Sequence, residues 1–314
     1  MKASMIITVF CRRTRRFAFI SAMIPALLAI SAKVLCAQSP VVAPGAKVER
    51  LADGFEFTEG PASDAAGNVY FTDQPNDRIL IWSIDGTLSI FMQPSGRSNG
   101  LSFDREMNLW ACADEKNELW RIDSSGNRTV VVDGYNGKRL NGPNDVWIHP
   151  NGGVYFTDPF YKRDYWDHSE SEQDKQCVYY LEPDPKTPVR VADDLSQPNG
   201  IIGTPDGKIL YVADIGGQKT YRYDIQPDGS LTNKTLFCRM GSDGMTIDSQ
   251  GNVYLTGRGV TVFDSGGRQI EHIDIDAGWT ANVCFGGKDR QTLFITAMKN
   301  LFGLRMRVKG AGSQ

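Results

Sequence analysis

DAAGNVYFTD, at residues 64–73, is a polar turn followed by a strand of alternating β-branched and aromatic residues. The phrase returns almost unchanged as HPNGGVYFTD at residues 149–158. Four more divergent copies are DREMNLWACAD at 104–114, TPDGKILYVAD at 204–214, DSQGNVYLTG at 248–257 and GKDRQTLFITA at 287–297. Successive copies begin 40, 45, 55, 44 and 39 residues apart, a spacing that is typical of β-propeller blades.

Further alternating runs follow each copy, such as RILIWSID at 78–85 and TLSIFM at 87–92. With the segment before each turn, they make four strands per repeat. The sequence therefore predicts an all-β fold, a six-bladed β-propeller with four-stranded antiparallel blades, in preference to a β-sandwich, which has no fixed period. The sixth copy lacks an outer strand, and KVERLA at 47–52 alternates like one. We predict that this N-terminal strand pairs with the last blade and closes the ring.

The N-terminal residues 1–37 have the layout of a signal peptide. Basic residues, among them Arg15 and Arg16, precede an apolar run at 17–30 that is too short to span a bilayer comfortably. We expect cleavage after Ala37 and export to the periplasm or the medium, by the general or the twin-arginine route; an uncleaved amphipathic anchor is the alternative. No later segment predicts a membrane span. The remaining chain is predicted to contain a linker at 38–46, the propeller at 47–308 and a disordered tail at 309–314.

The charge of the chain argues against one class of partner. Residues 1–37 carry six basic side chains and no acidic one, so cleavage changes the formal net charge from −3 to −9. This acidity argues against nucleic acid as a partner. Four cysteines remain, far apart and without the C-x-x-C pair of a zinc or redox site. They are predicted to form two disulfides or to stay as buried thiols: Cys112, Cys177, Cys238 and Cys284. The oligomeric state has no signal in the sequence.

An oxygen-bearing side chain stands five residues before each copy of the repeat. The six residues are Glu59, Asn99, Asn144, Asn199, Asp243 and Asn282. Because the first strand of a propeller blade lines the central channel, these side chains are predicted to form a ring at one end of the axis. The alternative is that each caps its own turn, but six in register favour the ring. Carboxylates and amides without His or Cys indicate a hard divalent cation, with Ca²⁺ as the first expectation and Mg²⁺, Mn²⁺ or Zn²⁺ as alternatives.

Several motifs around these positions carry a family resemblance. They are Glu59-Gly-Pro, RLNGPND at 139–145, PNG at 198–200, DGM at 243–245 and CFGG at 284–287. Over residues 47–306 the sequence resembles the gluconolactonase group of the SMP-30/gluconolactonase/LRE-like lactonases. The resemblance implies four protein ligands of the metal: Glu59, Asn144, Asn199 and Asp243. It also implies that Asn99 and Asn282 line the substrate pocket.

By the same resemblance the substrate is a small sugar lactone, as in the hydrolysis of glucono-1,5-lactone to gluconate. A divalent cation at the lactone carbonyl lowers the barrier to attack by water. Since no histidine falls on the ring, Asp243 is our candidate general base, with a metal-bound hydroxide as the alternative nucleophile. Arg139, Asn141 and Asn99 are the best placed residues to bind sugar hydroxyls; for Arg139 the alternative is a surface charge.

The longest interruption of the repeat is PFYKRDYWDHSESEQDKQ at residues 159–176, which we call the insert. It follows the second strand of blade three, on the face that carries the predicted ring. Its aromatic residues predict a partial lid over a sugar ring, and a solvated loop is the alternative. Two other functions stay open: a different metal-dependent hydrolase, acting on another lactone, an ester or a phosphotriester, and a non-enzymatic binding module.

Overall fold

The computed structural model describes residues 38–183 and 187–312. The predicted signal peptide at 1–37 lies outside these residues. Six four-stranded antiparallel sheets form a six-bladed propeller, as predicted. In chain order, the strands begin with β1 (Glu49–Asp53), and blade one then contains β2 (Thr58–Ser63), β3 (Val69–Asp73), β4 (Arg78–Trp82) and β5 (Leu88–Met92). A 3₁₀ turn, Gln74–Asn76, follows β3.

The other blades repeat this pattern. Blade two contains β6 (Ser98–Phe103), β7 (Leu109–Ala113), β8 (Glu118–Ile122) and β9 (Arg128–Val132). Blade three contains β10 (Val146–Ile148), β11 (Val154–Asp158), β12 (Cys177–Leu181) and β13 (Val189–Ala192). Blade four contains β14 (Pro198–Gly203), β15 (Ile209–Asp214), β16 (Lys219–Ile225) and β17 (Leu231–Cys238). Blade five contains β18 (Met245–Ile247), β19 (Val253–Gly257), β20 (Gly259–Phe263) and β21 (Gln269–Ile273), and blade six contains β22 (Asn282–Gly286), β23 (Thr292–Ala297) and β24 (Asn300–Arg305).

The sixth blade is completed from the start of the chain. Strand β1 pairs antiparallel with β24, with Glu49 opposite Gly303 and Asp53 opposite Asn300. The predicted closing strand is confirmed, although the regular strand begins at Glu49 and not at Lys47. Closure removes two sheet edges that would otherwise expose unpaired backbone groups.

Chain segments on either side of the propeller strands also contact it. Within 38–46, the predicted linker, Val41 is buried and Val42 forms a bridge with Met306. At the other end, the Gly310 N–H donates to the Arg290 carbonyl at 2.9 Å, and the Ala311 N–H donates to the Ile247 carbonyl at 3.0 Å. Residues 309–312, within the predicted tail, therefore cross from blade six to blade five.

The hydrophobic core lies between neighbouring blades. The middle strands pack on both faces, so that every residue of β12 and β19 is buried, whereas the outer strand β5 has exposed positions. Large aromatic side chains such as Trp120, Tyr155 and Tyr254 fill the space between sheets. Burying a side chain of this size contributes about 2–3 kcal/mol. These contacts hold the six inner strands around a common axis.

The four cysteines of the propeller are buried free thiols: Cys112, Cys177, Cys238 and Cys284. Of the two arrangements left open by the sequence, this structure therefore has the thiols. No helix within 38–183 or 187–312 has the length and apolar character needed to cross a bilayer.

Candidate active site

The six predicted ring residues all lie at the start of the innermost strands. Four are within strands: Glu59 in β2, Asn99 in β6, Asn199 in β14 and Asn282 in β22. The other two, Asn144 and Asp243, come two residues before β10 and β18. Five of the side chains are almost completely buried, while Asp243 is half-buried. The site therefore lies at one mouth of the central channel, with one carboxylate accessible from outside.

Glycine after the polar residue lets neighbouring inner strands approach closely. A Cβ on Gly60 would lie 2.1 Å from the Asn99 carbonyl oxygen, and Gly60 has a φ of +41°, which an L side chain rarely adopts. A Cβ on Gly244 would lie 1.9 Å from Cγ of Asn282. The Glu-Gly and Asp-Gly pairs of the sequence therefore hold the oxygen-bearing side chains of adjacent blades together.

The two ring carboxyls, Glu59 and Asp243, are close enough to perturb each other. Burial raises the pKa of Glu59 well above its ordinary value, and the charge of Asp243 raises it further, against a 3.0 Å hydrogen bond from the Gly60 N–H. Burial also raises the pKa of Asp243, while hydrogen bonds from Trp279 and Asn199 oppose the rise. Two like charges in one ring, one of them buried, need a nearby cation if both are to be ionised.

Asn199 supplies an oxygen without a partner between these groups. Its Nδ2 donates to Asp243 Oδ1 and to the Tyr161 hydroxyl, both at 2.8 Å. Its Oδ1 is buried and accepts no hydrogen bond. Such an atom costs about 1–3 kcal/mol unless a ligand satisfies it. The side-chain amides of Asn99 and Asn144 also make no hydrogen bond to another residue of the described chain, although their backbone groups do.

This donor set fits a hard cation and does not fit a softer one. No group of three or more His, Cys, Asp or Glu side chains is found in the described residues, so a site here depends on amide oxygens. Two carboxylates with several amide oxygens are the ligands that Ca²⁺ prefers. Glu59, Asn144, Asn199 and Asp243 all lie at the start of their inner strands, and their role as metal ligands stays a prediction.

Asp145 lies beside the ring and was not among the predicted site residues. Its carboxylate accepts hydrogen bonds from the Val146 N–H at 3.0 Å and the Ile201 N–H at 3.3 Å. Burial raises its pKa to about 8, although those bonds and one from Asn282 oppose the rise. The Asn282 Oδ1 also accepts from the Val283 N–H at 2.8 Å. Asp145 thus ties the inner strands of three blades together beneath the ring.

The insert lies against the site and is anchored by Asp114, the residue after β7. The Asp114 carboxylate accepts hydrogen bonds from Arg163 Nε at 3.0 Å, Gln74 Nε2 at 3.2 Å and the Tyr165 hydroxyl. Its backbone carbonyl accepts from Trp166 Nε1 at 2.7 Å. Trp166 is therefore packed against blade two, whereas most of 167–175 is exposed to solvent, and a lid over the substrate stays a prediction.

The structure does not bring all predicted substrate residues to the ring. Arg139 Nη1 pairs with Asp167 at 2.5 Å, and the Asn141 amide donates to the carbonyls of Asp158 and Lys175 at 3.1 and 2.9 Å. Both side chains bind the insert and its flanks, and neither bonds a ring residue. Asn99 and Asn282, by contrast, lie in the ring itself.

Sequence reasoning missed two side chains at this mouth. Arg163 carries a positive charge that lowers the pKa of both Glu59 and Asp243. Trp279, half-buried in the loop before β22, donates its indole N–H to Asp243 Oδ2 at 2.6 Å. An available signal was that Arg163 belongs to the long insert of the repeat, together with Tyr161 and the other aromatic residues of the predicted lid; Trp279 had none.

The structure defines a six-bladed β-propeller with carboxylate and amide side chains at one mouth of its central channel. Residues 57–299 match the SMP-30/Gluconolactonase/LRE-like region. The chain belongs to this family, as the resemblance indicated.

Individual relatives cover most of the chain. A gluconolactonase of Zymomonas mobilis is 32% identical over 294 residues, which cover 84% of this chain and 82% of that protein. The solved structure of a gluconolactonase from Xanthomonas campestris is 30% identical, with a TM-score of 0.78, and covers 84% of this chain and 91% of that one. The lactonase drp35 of Staphylococcus epidermidis is 27% identical over 236 residues, 71% of this chain and 65% of that protein.

Proposed function

We propose that this protein is a metal-dependent lactonase that hydrolyses a small sugar lactone, with glucono-1,5-lactone as the first substrate to test. The relatives named gluconolactonase and lactonase support this reaction class. The observation that carries the proposal is the buried, unpaired Oδ1 of Asn199, whose Nδ2 binds Asp243 and which shares the ring with the buried carboxyl of Glu59. A turn-capping role for these residues leaves that oxygen unexplained.

Glu59, Asn144, Asn199 and Asp243 would hold the ion, with Ca²⁺ as the expected metal. When bound, the cation supplies an electrophile for the lactone carbonyl oxygen, which gains negative charge as water adds. The residues themselves do the remaining work. Glu59 balances the charge of the ion from a buried position, where it is not accessible to substrate.

We assign to Asp243 the role of accepting a proton from the attacking water. Trp279 and Asn199 each donate to one of its oxygens, at 2.6 and 2.8 Å, and these bonds orient the carboxylate. They also favour its charged form, which is the form that a general base needs. The half-buried position at the mouth leaves it reachable by water, unlike Glu59.

The insert would exclude bulk water from the bound lactone. Tyr161 closes one side of the site through its bond with Asn199, and Trp166 fastens the insert to blade two through Asp114. A drier site strengthens the electrostatic contacts that stabilise the transition state.

We also propose that the enzyme acts after export, because residues 1–37 have the layout of a signal peptide. The mass of the mature protein from fractionated cells tests this. A chain that begins at Gln38 in the periplasm or medium supports it, and an intact N-terminus in the cytoplasm contradicts it.

The test of the reaction is acid release from glucono-1,5-lactone, followed with a pH indicator after the protein has been stripped of metal and reloaded. We expect activity only after a divalent cation is restored, with Ca²⁺ tested beside Mg²⁺, Mn²⁺ and Zn²⁺. The background is the spontaneous hydrolysis without protein. Equal rates for stripped and reloaded protein would reject the metal-dependent reaction. Metal-dependent hydrolysis of aryl esters or phosphotriesters alone would replace the lactone as substrate.

A further inference from the structure

Arg163 is an arginine of the insert with only part of its guanidinium in use. Its Nε donates to Asp114 Oδ2 at 3.0 Å, and its Cζ lies 5.1 Å from the centre of the Tyr161 ring. Its two terminal nitrogens, Nη1 and Nη2, make no hydrogen bond to any residue of 38–183 or 187–312, and neither is a buried unpaired atom. The outer edge of the guanidinium therefore faces open space, with both donors free.

That edge is near the proposed reaction centre. Tyr161, on which Arg163 stacks, accepts a hydrogen bond from Asn199, and Asn199 donates to Asp243. The charge of Arg163 is also felt at Glu59 and Asp243. A guanidinium with two parallel free donors is a binding group for a carboxylate, which it contacts in a bidentate manner.

Two neighbouring arginines of this mouth are not available in this way. Arg97 Nη1 donates to the Pro75 carbonyl at 2.8 Å, and its guanidinium stacks on Tyr165 with Cζ 4.5 Å from the ring centre. Arg139 is occupied by Asp167 and Glu172 of the insert. Arg163 differs from both because its two terminal nitrogens are unpaired within the described chain while its side chain packs on Tyr161.

We propose that Arg163 binds the carboxylate that forms when the lactone ring opens, and that the site therefore distinguishes a sugar acid from the corresponding neutral polyol. The inference rests on the proposed lactonase function for the identity of the acid. Asp114 acts as a positioning residue, because its contact with Nε holds the guanidinium beside Tyr161 and leaves both terminal nitrogens unpaired among the described residues. Product acid should accordingly be a competitive inhibitor.

The test compares two linear ligands that differ only at the first carbon, gluconate and glucitol. Their dissociation constants are measured by calorimetry with Ca²⁺-loaded wild type, Arg163→Gln and Arg163→Lys. We expect wild type to bind gluconate about tenfold or more tightly than glucitol, as for a charge-assisted bidentate contact. Arg163→Gln should weaken gluconate binding by about tenfold and leave glucitol binding unchanged. Arg163→Lys keeps the charge but loses the two parallel donors. Its affinity for gluconate should therefore lie between those of wild type and Arg163→Gln.

The matched control is Arg78→Gln in blade one. Arg78 is 23% exposed and pairs with a fully buried aspartate, Asp73, at 2.8 Å, much as Arg163, 25% exposed, pairs with Asp114. Arg78→Gln should lower the melting temperature about as much as Arg163→Gln does, without changing the dissociation constant of gluconate or of glucitol. Unchanged gluconate binding in Arg163→Gln would overturn the proposal, and so would equal binding of the two ligands by wild type. Selective gluconate binding that is lost in Arg163→Gln, in a protein without lactonase activity, would uphold the role of Arg163 and reject the proposed reaction.

Discussion

The two ends of the inner strands carry similar polar residues and use them differently. At the end opposite the ring, Asp64 Oδ1 accepts hydrogen bonds from the N–H groups of Gly67 and Asn68 at 2.8 and 2.9 Å, which closes the turn after β2. At the ring, Asn199 Oδ1 accepts none. Residue type and period are therefore alike at both ends, and the hydrogen bonds that each side chain makes within the protein distinguish a turn from a site.

The largest difference between the ends should be in catalysis. Asp243→Asn keeps the shape of the side chain but removes the proposed base and one charged ligand, so kcat with glucono-1,5-lactone should fall by about 10³-fold. An unchanged circular dichroism spectrum is the control for folding. A variant that keeps most of its turnover would remove Asp243 as the base.

Calcium should stabilise the end of the inner strands that carries the ring, and not the opposite end. At a Ca²⁺ concentration about 100 times its dissociation constant, binding adds about 2.7 kcal/mol to the free energy of unfolding, which is measured as a rise in melting temperature. Because the pKa of Glu59 is raised well above its ordinary value, protons compete with the ion, and the rise should shrink as the pH falls. Asp64→Ala should keep the full calcium effect, and Glu59→Gln should lose it. Equal calcium effects in both variants would contradict the site.

A tryptophan at each end donates its indole N–H to an aspartate, which provides a closely matched pair. Trp279 binds Asp243 at 2.6 Å, and Trp110 binds Asp104 at 3.0 Å. Trp279→Phe should lower kcat about tenfold, or about 1.4 kcal/mol in the barrier, because the proposed base loses its orientation. Trp110→Phe should lower the melting temperature with kcat unchanged. A similar kcat in the two variants would mean that the Trp279 bond is only structural.

The smallest effect should come from a turn aspartate alone. Asp64→Ala removes the acceptor for two backbone N–H groups in a partly exposed turn, which should cost about 1 kcal/mol of stability. Urea unfolding measures it, with lactone turnover as the second readout. A loss of turnover at constant fold would show that the two ends are not independent.

The repeat was sufficient to predict the fold because the strands of each blade alternate with a period of two residues, and because glycine and asparagine mark the turns. The ring followed from the same register, since six positions equivalent in sequence become equivalent around an axis. Even the strand that closes the ring was recognisable, because β1 alternates and blade six lacks an outer strand.

The surroundings of the ring were beyond such reasoning. Trp279 reaches Asp243 across 36 positions of sequence, and Arg163 reaches Asp114 across 49. Neither contact has a periodic signal, because each depends on side-chain rotamers and on the path of a loop. Arg139 was chosen for its nearness in sequence to Asn144, and the structure shows that its charge is taken up by Asp167.

The β1–β24 pairing has a consequence for how the molecule is made. The last sheet combines Glu49–Asp53 with Asn300–Arg305, so a ribosome must synthesise nearly the whole polypeptide before the circle can shut. Blades one to five are able to form early, yet β2, which carries Glu59, and β22, which carries Asn282, lie side by side across the seam that shuts last. We therefore expect the proposed reaction centre to be assembled late in synthesis, and a truncated chain to lack part of it.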